Sequence, residues 1–515
     1  MIFWCMEKIA LIELSNSSLR LSIYKVLSGD YFLPIKRMAE DIAIDEHLDG
    51  EKLVKSPKFK ECQTLIQMFK KICECEGVSR YLCFASSTIM NAKNYQSFVD
   101  DLGRAVGLTF KVLSDEEEVA TLFTATTNTL DIPKGIIVNI SSSSTRILHY
   151  NRRIVLDSVT LPYGSYSVLK ATEGATDPVR AAIDFFKKEL STHAPFLREI
   201  DPESTIVGIG DVMTSFGKLA RKITKYPVDI AHNYQTDKDT FNQVLSFLKG
   251  LNPEKKQKLK GISNQPASNI LFGLCIAEAI METSGLDQIT ISKGYRNVGL
   301  MFQNIIPSTT DRPLPDLLIH SLDTIMTNAG LDKREGMRIY DLSLILFKQL
   351  KALHRLPRIY ARILKTCAFL GGLSRVTGVT DTEKGNFSLI LNLPLYGLSH
   401  REQVMSAFVS SCRKWEDFNL SEWVKYKDIM EEGDLEAVKK LSNIMALSIA
   451  LNIRNQDIVK DITCDILGES AIIKLVADLD GKAKLEHDHT SIEIYQANKL
   501  VPEFQKAFKM NLDVL

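Results

Sequence analysis

The fold is decided by residues 8–25, KIALIELSNSSLRLSIYK. An apolar segment, a hydroxyl-rich turn and a second apolar segment follow one another, and this pattern predicts a β-hairpin. The pattern returns at residues 135–150, where GIIVNI, SSSS and TRILHY again give strand, turn and strand. The repetition predicts a duplicated, two-lobed α/β fold with a ligand between the lobes. Two unrelated serine-rich hairpins are the alternative that the pattern alone leaves open.

The two turns suggest what that ligand is. A strand–turn–strand unit with Ser, Thr or Gly in its turn directs backbone N–H groups and hydroxyls at one point, which suits a phosphate group. Two such turns facing each other would hold a phosphate chain from both sides. Serine-rich turns are also common at protein surfaces, so this pattern alone is weak evidence for phosphate binding.

The composition is that of a soluble globular protein. A length of 515 residues predicts about three domains, and 45% hydrophobic with 24% charged residues excludes disordered and fibrous classes. Lys+Arg and Asp+Glu both number 63, so we expect no nucleic-acid partner, because such proteins are normally basic. We expect neither a membrane span nor a signal peptide. Nine cysteines without a CxxC pair favour reduced thiols and a cytoplasmic location.

The chain divides at changes in its pattern. Residues 1–128 and 129–305 hold the two hairpins and form the predicted lobes. The segment IPSTTDRPLP at 306–315 is typical of a linker, and 306–465 is predicted to be a helical domain, with helical character up to about 467. Residues 466–515 are predicted to be a small α/β tail, with AIIKLVAD (471–478) and SIEIYQ (491–496) as strands and LVPEFQKAFKM (500–510) as a helix.

Seven short segments together resemble the exopolyphosphatase/guanosine pentaphosphate phosphatase (Ppx/GppA) family. They are ELSNSSLRL (13–21), ASSTIMNAKN (85–94), VLSDEEEVATL (112–122), VNISSSSTRIL (138–148), LPYG (161–164), VGIGD (207–211) and SKGYRNVGL (292–300). The resemblance implies an actin-like, ribonuclease H-like two-lobed fold. It also implies hydrolysis of terminal phosphoanhydride bonds of polyphosphate or guanosine pentaphosphate (pppGpp), with Mg²⁺, between the lobes.

The resemblance also implies site residues. Glu117, with Glu118 beside it, aligns with the family's general base, although an acidic helix N-terminus would also explain these residues. Glu13 and Asn139 occupy the metal-holding positions. The phosphate-binding positions are Ser15, Asn16, Ser17, Arg20, Ser141, Ser142, Ser143, Ser144, Thr145, Arg146, Gly208 and Gly210.

Departures from the family pattern bear on activity. Mg²⁺ prefers carboxylate oxygens, but Asn139 offers a neutral carbonyl where the family has Asp. Arg146 replaces a family Glu by a cation that pairs directly with phosphate. Met90 stands at a family Arg, and Asp211 stands in a family Gly-Gly-Thr segment. Both the first turn and the second turn carry serines where the family has glycines.

The helical domain resembles an HD-type domain through LFKQLKALHRLP (346–357) and LILNLPLYGLSHRE (389–402). The aligned metal positions are Glu335, Gly371-Gly372 and Glu383-Lys384-Gly385, which cannot form a His/Asp metal site. We expect His354 and His400 to be structural and His487-Asp488-His489 to be an exposed turn. Dimer contact or extension of a ligand channel is the role left for this domain.

Two functions remain open from the sequence. The first is a phosphohydrolase that acts on polyphosphate or pppGpp with weakened or altered use of Mg²⁺. The second is a catalytically degenerate sensor that binds polyphosphate or a phosphorylated guanine nucleotide. A kinase of the same superfold is a third, more distant interpretation, and a homodimer is one expected assembly.

Overall fold

The computed structural model describes residues 7–44, 52–252, 267–477 and 490–515. Backbone contacts divide the chain into two compact units, Met1–Leu317 and Leu318–Leu515. Within the described ranges, no helix is both long enough and apolar enough to cross a bilayer.

The first sheet has five strands in the order β3-β2-β1-β4-β5. The strands are β1 (Lys8–Leu14), β2 (Ser18–Leu27), β3 (Tyr31–Asp41), β4 (Arg80–Ala85) and β5 (Phe110–Val112). Strands β1, β2 and β3 are antiparallel, and β4 and β5 continue the sheet in parallel. The helices Ser56–Glu76 and Tyr95–Val106 bury their apolar faces on this sheet.

The second sheet repeats this order and adds one strand. Its strands are β6 (Lys134–Ile140), β7 (Thr145–Asn151), β8 (Ile154–Leu161), β9 (Thr205–Ile209), β10 (Tyr234–Asp237) and β11 (Gln288–Ile291), in the order β8-β7-β6-β9-β11-β10. Again an antiparallel three-stranded meander is followed by two parallel strands. The accompanying helices are Ser165–Ala171, Pro178–His193, Gly210–Ile223, Lys238–Gly250 and Ala267–Ser284.

The two hairpin turns also match in their hydrogen bonds. In the first turn, the backbone N–H and the hydroxyl of Ser15 both donate to the carbonyl of Ser18, each at 2.9 Å. In the second turn, the same two groups of Ser141 donate to the carbonyl of Ser144, also at 2.9 Å. The duplication predicted from the sequence is therefore confirmed in strand order and in local geometry.

Two helices connect the sheets. Leu122 of the Asp115–Thr127 helix packs with Ile137 and Val207 of the second sheet. Leu300 of the Arg296–Ile305 helix packs with strand β1 of the first sheet. The helices approach closely at Gly299, where a Cβ atom would lie 2.1 Å from the carbonyl oxygen of Thr121. The Asp115–Thr127 helix thus belongs to the first lobe in sequence but packs on the second sheet. The Arg296–Ile305 helix belongs to the second lobe in sequence but packs on the first sheet.

The second unit is mainly helical. Its helices are Leu317–Ala329, Lys333–Gln349, Lys351–His354, Ala361–Leu370, Leu373–Val376, Thr382–Asn392, His400–Ser411, Leu420–Trp423, Asp434–Leu451, Ser491–Asn498 and Val501–Phe508. A three-stranded sheet in the order β12-β13-β14 is formed by β12 (Val459–Leu467), β13 (Ser470–Ala477) and β14 (Asn511–Val514).

Two element predictions in this unit are wrong. Residues 459–467 are a strand instead of the end of a helical region, because they pair antiparallel with β13. Residues 491–496 belong to a helix, and the residues it buries, Glu493 and Ala497, lie four positions apart instead of alternating. The strand predicted at 471–478 is present as β13. The segment His487-Asp488-His489 lies outside the described residues.

Candidate functional site

A cavity of about 470 Å³ lies between the two serine turns. Ser15, Asn16 and Ser17 line it from the first lobe, and Ser141, Ser142 and Ser143 line it from the second. Each turn closes a hairpin at the same end of equivalent central strands, so the duplication brings the two turns to one cleft. The expected arrangement of turns facing each other is what the structure shows.

A helix N-terminus packs directly on the second turn. The backbone N–H groups of Ser165 and Tyr166 donate to the carbonyls of Ser141 and Ser142, both at 2.9 Å. A Cβ atom at Gly164 would lie 2.4 Å from the carbonyl oxygen of Ser141. A larger residue at position 164 would therefore push the Ser165–Ala171 helix away from the turn.

Not every residue predicted to bind phosphate reaches the cavity. The lining includes eleven predicted residues: Glu13, Ser15, Asn16, Ser17, Arg20, Asn139, Ser141, Ser142, Ser143, Arg146 and Gly210. Ser144 is buried beside Ser141, and the buried hydroxyl of Thr145 donates to the carbonyl of Tyr163 at 2.8 Å. Gly208 lies within β9, where a Cβ atom would meet the side chain of Met213. These three residues support the cleft without lining it.

Glu117, the predicted general base, does not line the cavity. Glu117 is 42% exposed, and its carboxylate accepts hydrogen bonds from the Ser114 N–H at 2.9 Å and from Lys111 at 2.5 Å. It closes a capping box with Ser114, so its side chain serves the helix terminus. Glu118 is 2% exposed and lines the cavity. Successive helical residues point about 100° apart, and it is Glu118 that faces the cleft.

Two arginines hold the Glu118 carboxylate. Arg146, only 3% exposed, lies 2.8 Å from Glu118 Oε2, and Arg296 pairs with Glu118 Oε1 at 2.5 Å. The backbone N–H of Ser87 also donates to Oε1, at 2.9 Å. Burial raises the pKa of Glu118, but Arg296 and Arg146 outweigh it, so that the pKa lies below its usual value. Glu118 is therefore ionised at neutral pH.

Arg146 bridges the lobes. From strand β7 it donates to the hydroxyl of Ser87 at 2.6 Å and pairs with Asp115 at 3.0 Å, both in the first lobe's part of the sequence. Its Nε is buried and has no hydrogen-bond partner among the described residues. Asn16 Oδ1 is likewise buried without a partner there, while its amide group donates to the carbonyl of Thr88. The cavity wall thus holds one unsatisfied donor and one unsatisfied acceptor.

Sequence reasoning did not identify Arg296. This residue joins Glu118 to Glu13, whose carboxylate lies 3.2 Å from Arg296 Nε. Burial lowers the pKa of Arg296, and Glu118 and Glu13 raise it above its usual value. The only sequence signal was its place in SKGYRNVGL, at the start of a helix that follows the last parallel strand.

A second ion pair crosses the cleft. Arg20, on strand β2, donates to Asp211 at 2.8 Å, and both side chains line the cavity. Asp211 lies in the first turn of the Gly210–Ile223 helix. Gly210 has a φ of +89°, and a Cβ atom there would lie 2.7 Å from Asn139 Oδ1. Only glycine readily adopts this conformation so close to the second turn.

The residues present do not fit a resident Mg²⁺ ion. The carboxylates of Glu13, Glu118 and Asp211 are each paired with an arginine, and Asn139 provides only a neutral oxygen. Over the described ranges, no group of three or more His, Cys, Asp and Glu side chains could hold a metal ion. A divalent cation would have to compete with a guanidinium group for each of these three carboxylates.

In the helical unit, Glu335, which the sequence resemblance placed at an HD metal position, forms an ion pair. Arg375 lies 2.9 Å from Glu335, and a Cβ atom at Gly372 would meet the Arg375 side chain at 3.0 Å. His354 is buried; its Nε2 donates to the carbonyl of Phe347 at 2.6 Å and its Nδ1 accepts from the Leu356 N–H at 2.8 Å. These contacts give His354 a structural role.

Comparisons with known sequences show which family the chain resembles. The model of the Ppx/GppA phosphatase family matches residues 22–305. The chain is 18% identical over 448 residues to a guanosine-5'-triphosphate,3'-diphosphate pyrophosphatase of Aeromonas hydrophila, covering 86% of each chain. It is 19% identical over 304 residues to exopolyphosphatase 1 of Mycobacterium leprae, covering 58% of this chain and 89% of that protein.

Solved structures show the same fold. A Ppx/GppA family member from Aquifex aeolicus matches with a TM-score of 0.52 at 20% identity, covering 59% of this chain and 99% of that chain. An exopolyphosphatase from Cytophaga hutchinsonii matches with a TM-score of 0.53 at 13% identity, covering 58% and 98%. The expected two-lobed actin-like α/β fold is therefore confirmed.

Proposed function

Because the chain belongs to the Ppx/GppA phosphatase family, we propose that its cleft binds the terminal phosphates of polyphosphate or pppGpp and hydrolyses the outermost phosphoanhydride bond. The observation that carries this proposal is Glu118, a buried carboxylate that lines the cavity between the two serine turns. A carboxylate in this position can hold the water molecule that attacks the terminal phosphorus.

The two turns and the arginines supply the phosphate contacts. Ser142 and Ser143 line the second-lobe wall, and Ser17 lines the wall opposite. Arg146 and Arg296 stand beside Glu118, where a guanidinium group can pair with the oxygens of the transferred phosphoryl group. In this proposal, the arginines neutralise the negative charge of the phosphoryl group, because the residues of the cleft do not fit a resident metal ion.

The reaction then needs one proton acceptor. The water oxygen bonds to the terminal phosphorus, the bond from that phosphorus to the bridging oxygen breaks, and the water proton passes to Glu118. The low pKa of Glu118 makes it a weak base. Phosphoryl transfer goes through a loose transition state in which positioning of the water outweighs base strength.

Binding without turnover is the second candidate, and one observation favours it. Glu118 is held by two arginines at once, so its lone pairs are engaged unless a ligand phosphate draws the guanidinium groups away. A cleft in which the ligand does not displace them would bind phosphate and leave the phosphoanhydride bond intact.

Phosphate release distinguishes these candidates. Orthophosphate release from long-chain polyphosphate and from pppGpp is measured for wild type, Glu118→Gln and Glu117→Gln, with Mg²⁺ and with chelator. Gln at 117 retains the capping box, since Glu and Gln both serve it, so this variant is the matched control. We expect Glu118→Gln to lose at least about 100-fold in kcat, as for a removed general base, and Glu117→Gln to remain near wild type.

Binding is measured on the same three proteins by calorimetry. If the wild type binds either ligand but releases no phosphate, the protein is a sensor. If Glu117→Gln loses turnover and Glu118→Gln keeps it, the assignment of Glu118 is wrong. If neither ligand binds the wild type, the cleft is not a phosphate site.

A further inference from the structure

The charges in the cleft do not suit a long polyanion. Four arginines line the cavity, and four carboxylates balance them: Arg20, Arg37, Arg146 and Arg296 against Glu13, Asp41, Glu118 and Asp211. Inorganic polyphosphate carries about one negative charge on every phosphate, so a channel for it should have an excess of cations. A balanced lining fits a ligand that is anionic at one end and neutral at the other.

Asp211 is a cavity carboxylate that departs from the family pattern, because it stands in the segment where the family has Gly-Gly-Thr. It lies in the first turn of the Gly210–Ile223 helix, beside the second serine turn, and reaches across the cleft to Arg20. About a third of each side chain is exposed, so a ligand can reach both. A phosphate that pairs with Arg20 leaves the Asp211 carboxylate facing a like charge.

The same wall offers apolar surface. Tyr295 is the only aromatic side chain among the described residues lining the cavity, and Met38, Leu122 and Ile209 line it as well. Tyr295 lies near the ion pair, since its hydroxyl donates to the Thr214 hydroxyl at 3.4 Å, about one turn beyond Asp211 in the same helix. Inorganic polyphosphate has no group that uses such surface, whereas a ribose or a nucleobase does.

We propose that Asp211 is a specificity-determining residue that selects a nucleoside polyphosphate over inorganic polyphosphate. The ribose hydroxyls or base N–H groups of the nucleoside donate to the Asp211 carboxylate, while a phosphate pairs with Arg20. An unbroken phosphate chain has no donor to offer and is repelled. This inference rests on the proposed phosphate-binding function of the cleft and concerns which ligand class the cleft prefers.

The test compares ligands with equal numbers of phosphates. Dissociation constants for tripolyphosphate and for guanosine 5'-triphosphate are measured by calorimetry on the full chain in chelator, for wild type and Asp211→Asn. Asp239→Asn is the matched control, because Asp239 is likewise a first-turn aspartate on a helix of the second lobe, is exposed, and does not line the cavity. Thermal unfolding checks that each variant is folded.

We expect the wild type to bind guanosine 5'-triphosphate more tightly than tripolyphosphate. Asp211→Asn should bind tripolyphosphate about tenfold more tightly, which corresponds to removal of one like charge at short range, and should not gain affinity for the nucleotide. The gain should shrink as salt is raised, because the charges are partly exposed. Asp239→Asn should leave both constants unchanged.

Three outcomes would overturn the inference. The first is a wild type that prefers tripolyphosphate, and the second is an Asp211→Asn variant that shifts both ligands by the same factor. The third is a wild type that binds neither ligand, which would also refute the proposed function. Binding with the expected preference but without phosphate release would refute hydrolysis and leave the role of Asp211 standing.

Discussion

Replacing Arg146 by methionine should both destabilise the first unit and weaken phosphate binding. The change keeps the length and apolar stem of the side chain and removes its charge. It breaks the ion pairs of Arg146 with Glu118 and Asp115, and it removes the hydrogen bond that Arg146 donates to the Ser87 hydroxyl. Glu118 keeps Arg296, the Ser87 N–H and the Ser86 side chain as partners.

The magnitude follows from burial. Removing one partner of a buried ion pair costs about 3–5 kcal/mol, and we expect the lower end, about 3 kcal/mol, because Arg296 still pairs with Glu118. For a large domain this corresponds to a fall of about 6–12 °C in the unfolding midpoint. Tripolyphosphate affinity in chelator should fall by about 1.5–3 kcal/mol, the value of a hydrogen bond to a charged group.

The effect should depend on pH in a defined direction. The pKa of Glu118 is lowered in the folded wild type, so its contribution to stability is present above the unfolded pKa of about 4.5 and is lost as pH falls through the folded pKa. Arg146→Met removes part of that contribution. The difference in stability between wild type and variant should therefore be largest near pH 7 and shrink below pH 4.5.

Thermal unfolding over a pH series and calorimetry with tripolyphosphate measure the two effects. Arg104→Met is the control, because Arg104 is an exposed arginine that pairs with the exposed Asp101 on the same helix, and exposed pairs contribute about 0–1 kcal/mol. Two results together would refute this reasoning: Arg146→Met unfolds within 1 °C of this control, and it binds tripolyphosphate like the wild type. Arg146 would then neither stabilise the contact between the lobes nor bind phosphate as we propose.

Three further predictions follow from single contacts. Gly210→Ala should cost about 2 kcal/mol in unfolding free energy, because alanine is strained at a φ of +89°, and a denaturant titration that shows no loss would refute this. The double change Asn139→Asp with Arg146→Glu should make phosphate release depend on Mg²⁺, since two carboxylates replace a neutral group and a cation; equal rates with Mg²⁺ and with chelator would count against it. Burial lowers the pKa of His354, so the helical unit should lose stability as pH falls below about 6.5; His354→Gln should flatten this loss, and unfolding midpoints between pH 7.5 and 5.5 would show whether it does.

The sequence by itself determined the repeated part of the fold. Apolar segments on both sides of SNSS and SSSS predict hairpins, and the second copy of the hairpin predicts two similar lobes. The turn residues Ser15–Ser17 and Ser141–Ser143 could therefore be expected to face one cleft. Local pattern is sufficient here because a hairpin is defined by residues that are neighbours in the chain.

The tertiary structure decided which of two adjacent acidic side chains faces the cleft. Glu117 and Glu118 are adjacent acids in one helix turn, and only the packing of that helix between the lobes directs Glu118 into the cleft and Glu117 toward Lys111. The same holds for the helix at 491–498, whose buried Glu493 pairs with Arg454 from another part of the chain.

Arg296 is the clearest example of a site residue that could not be predicted from the sequence. It lies 178 residues from Glu118 in the sequence, and their contact exists because the Asp115–Thr127 and Arg296–Ile305 helices cross between the two sheets. The hydrophobic periodicity and residue spacing within either helix do not predict that the two helices cross. Chemistry that depends on partners distant in the chain, such as the charge balance between Arg20 and Asp211 or the double pairing of Glu118, is fixed by tertiary packing alone.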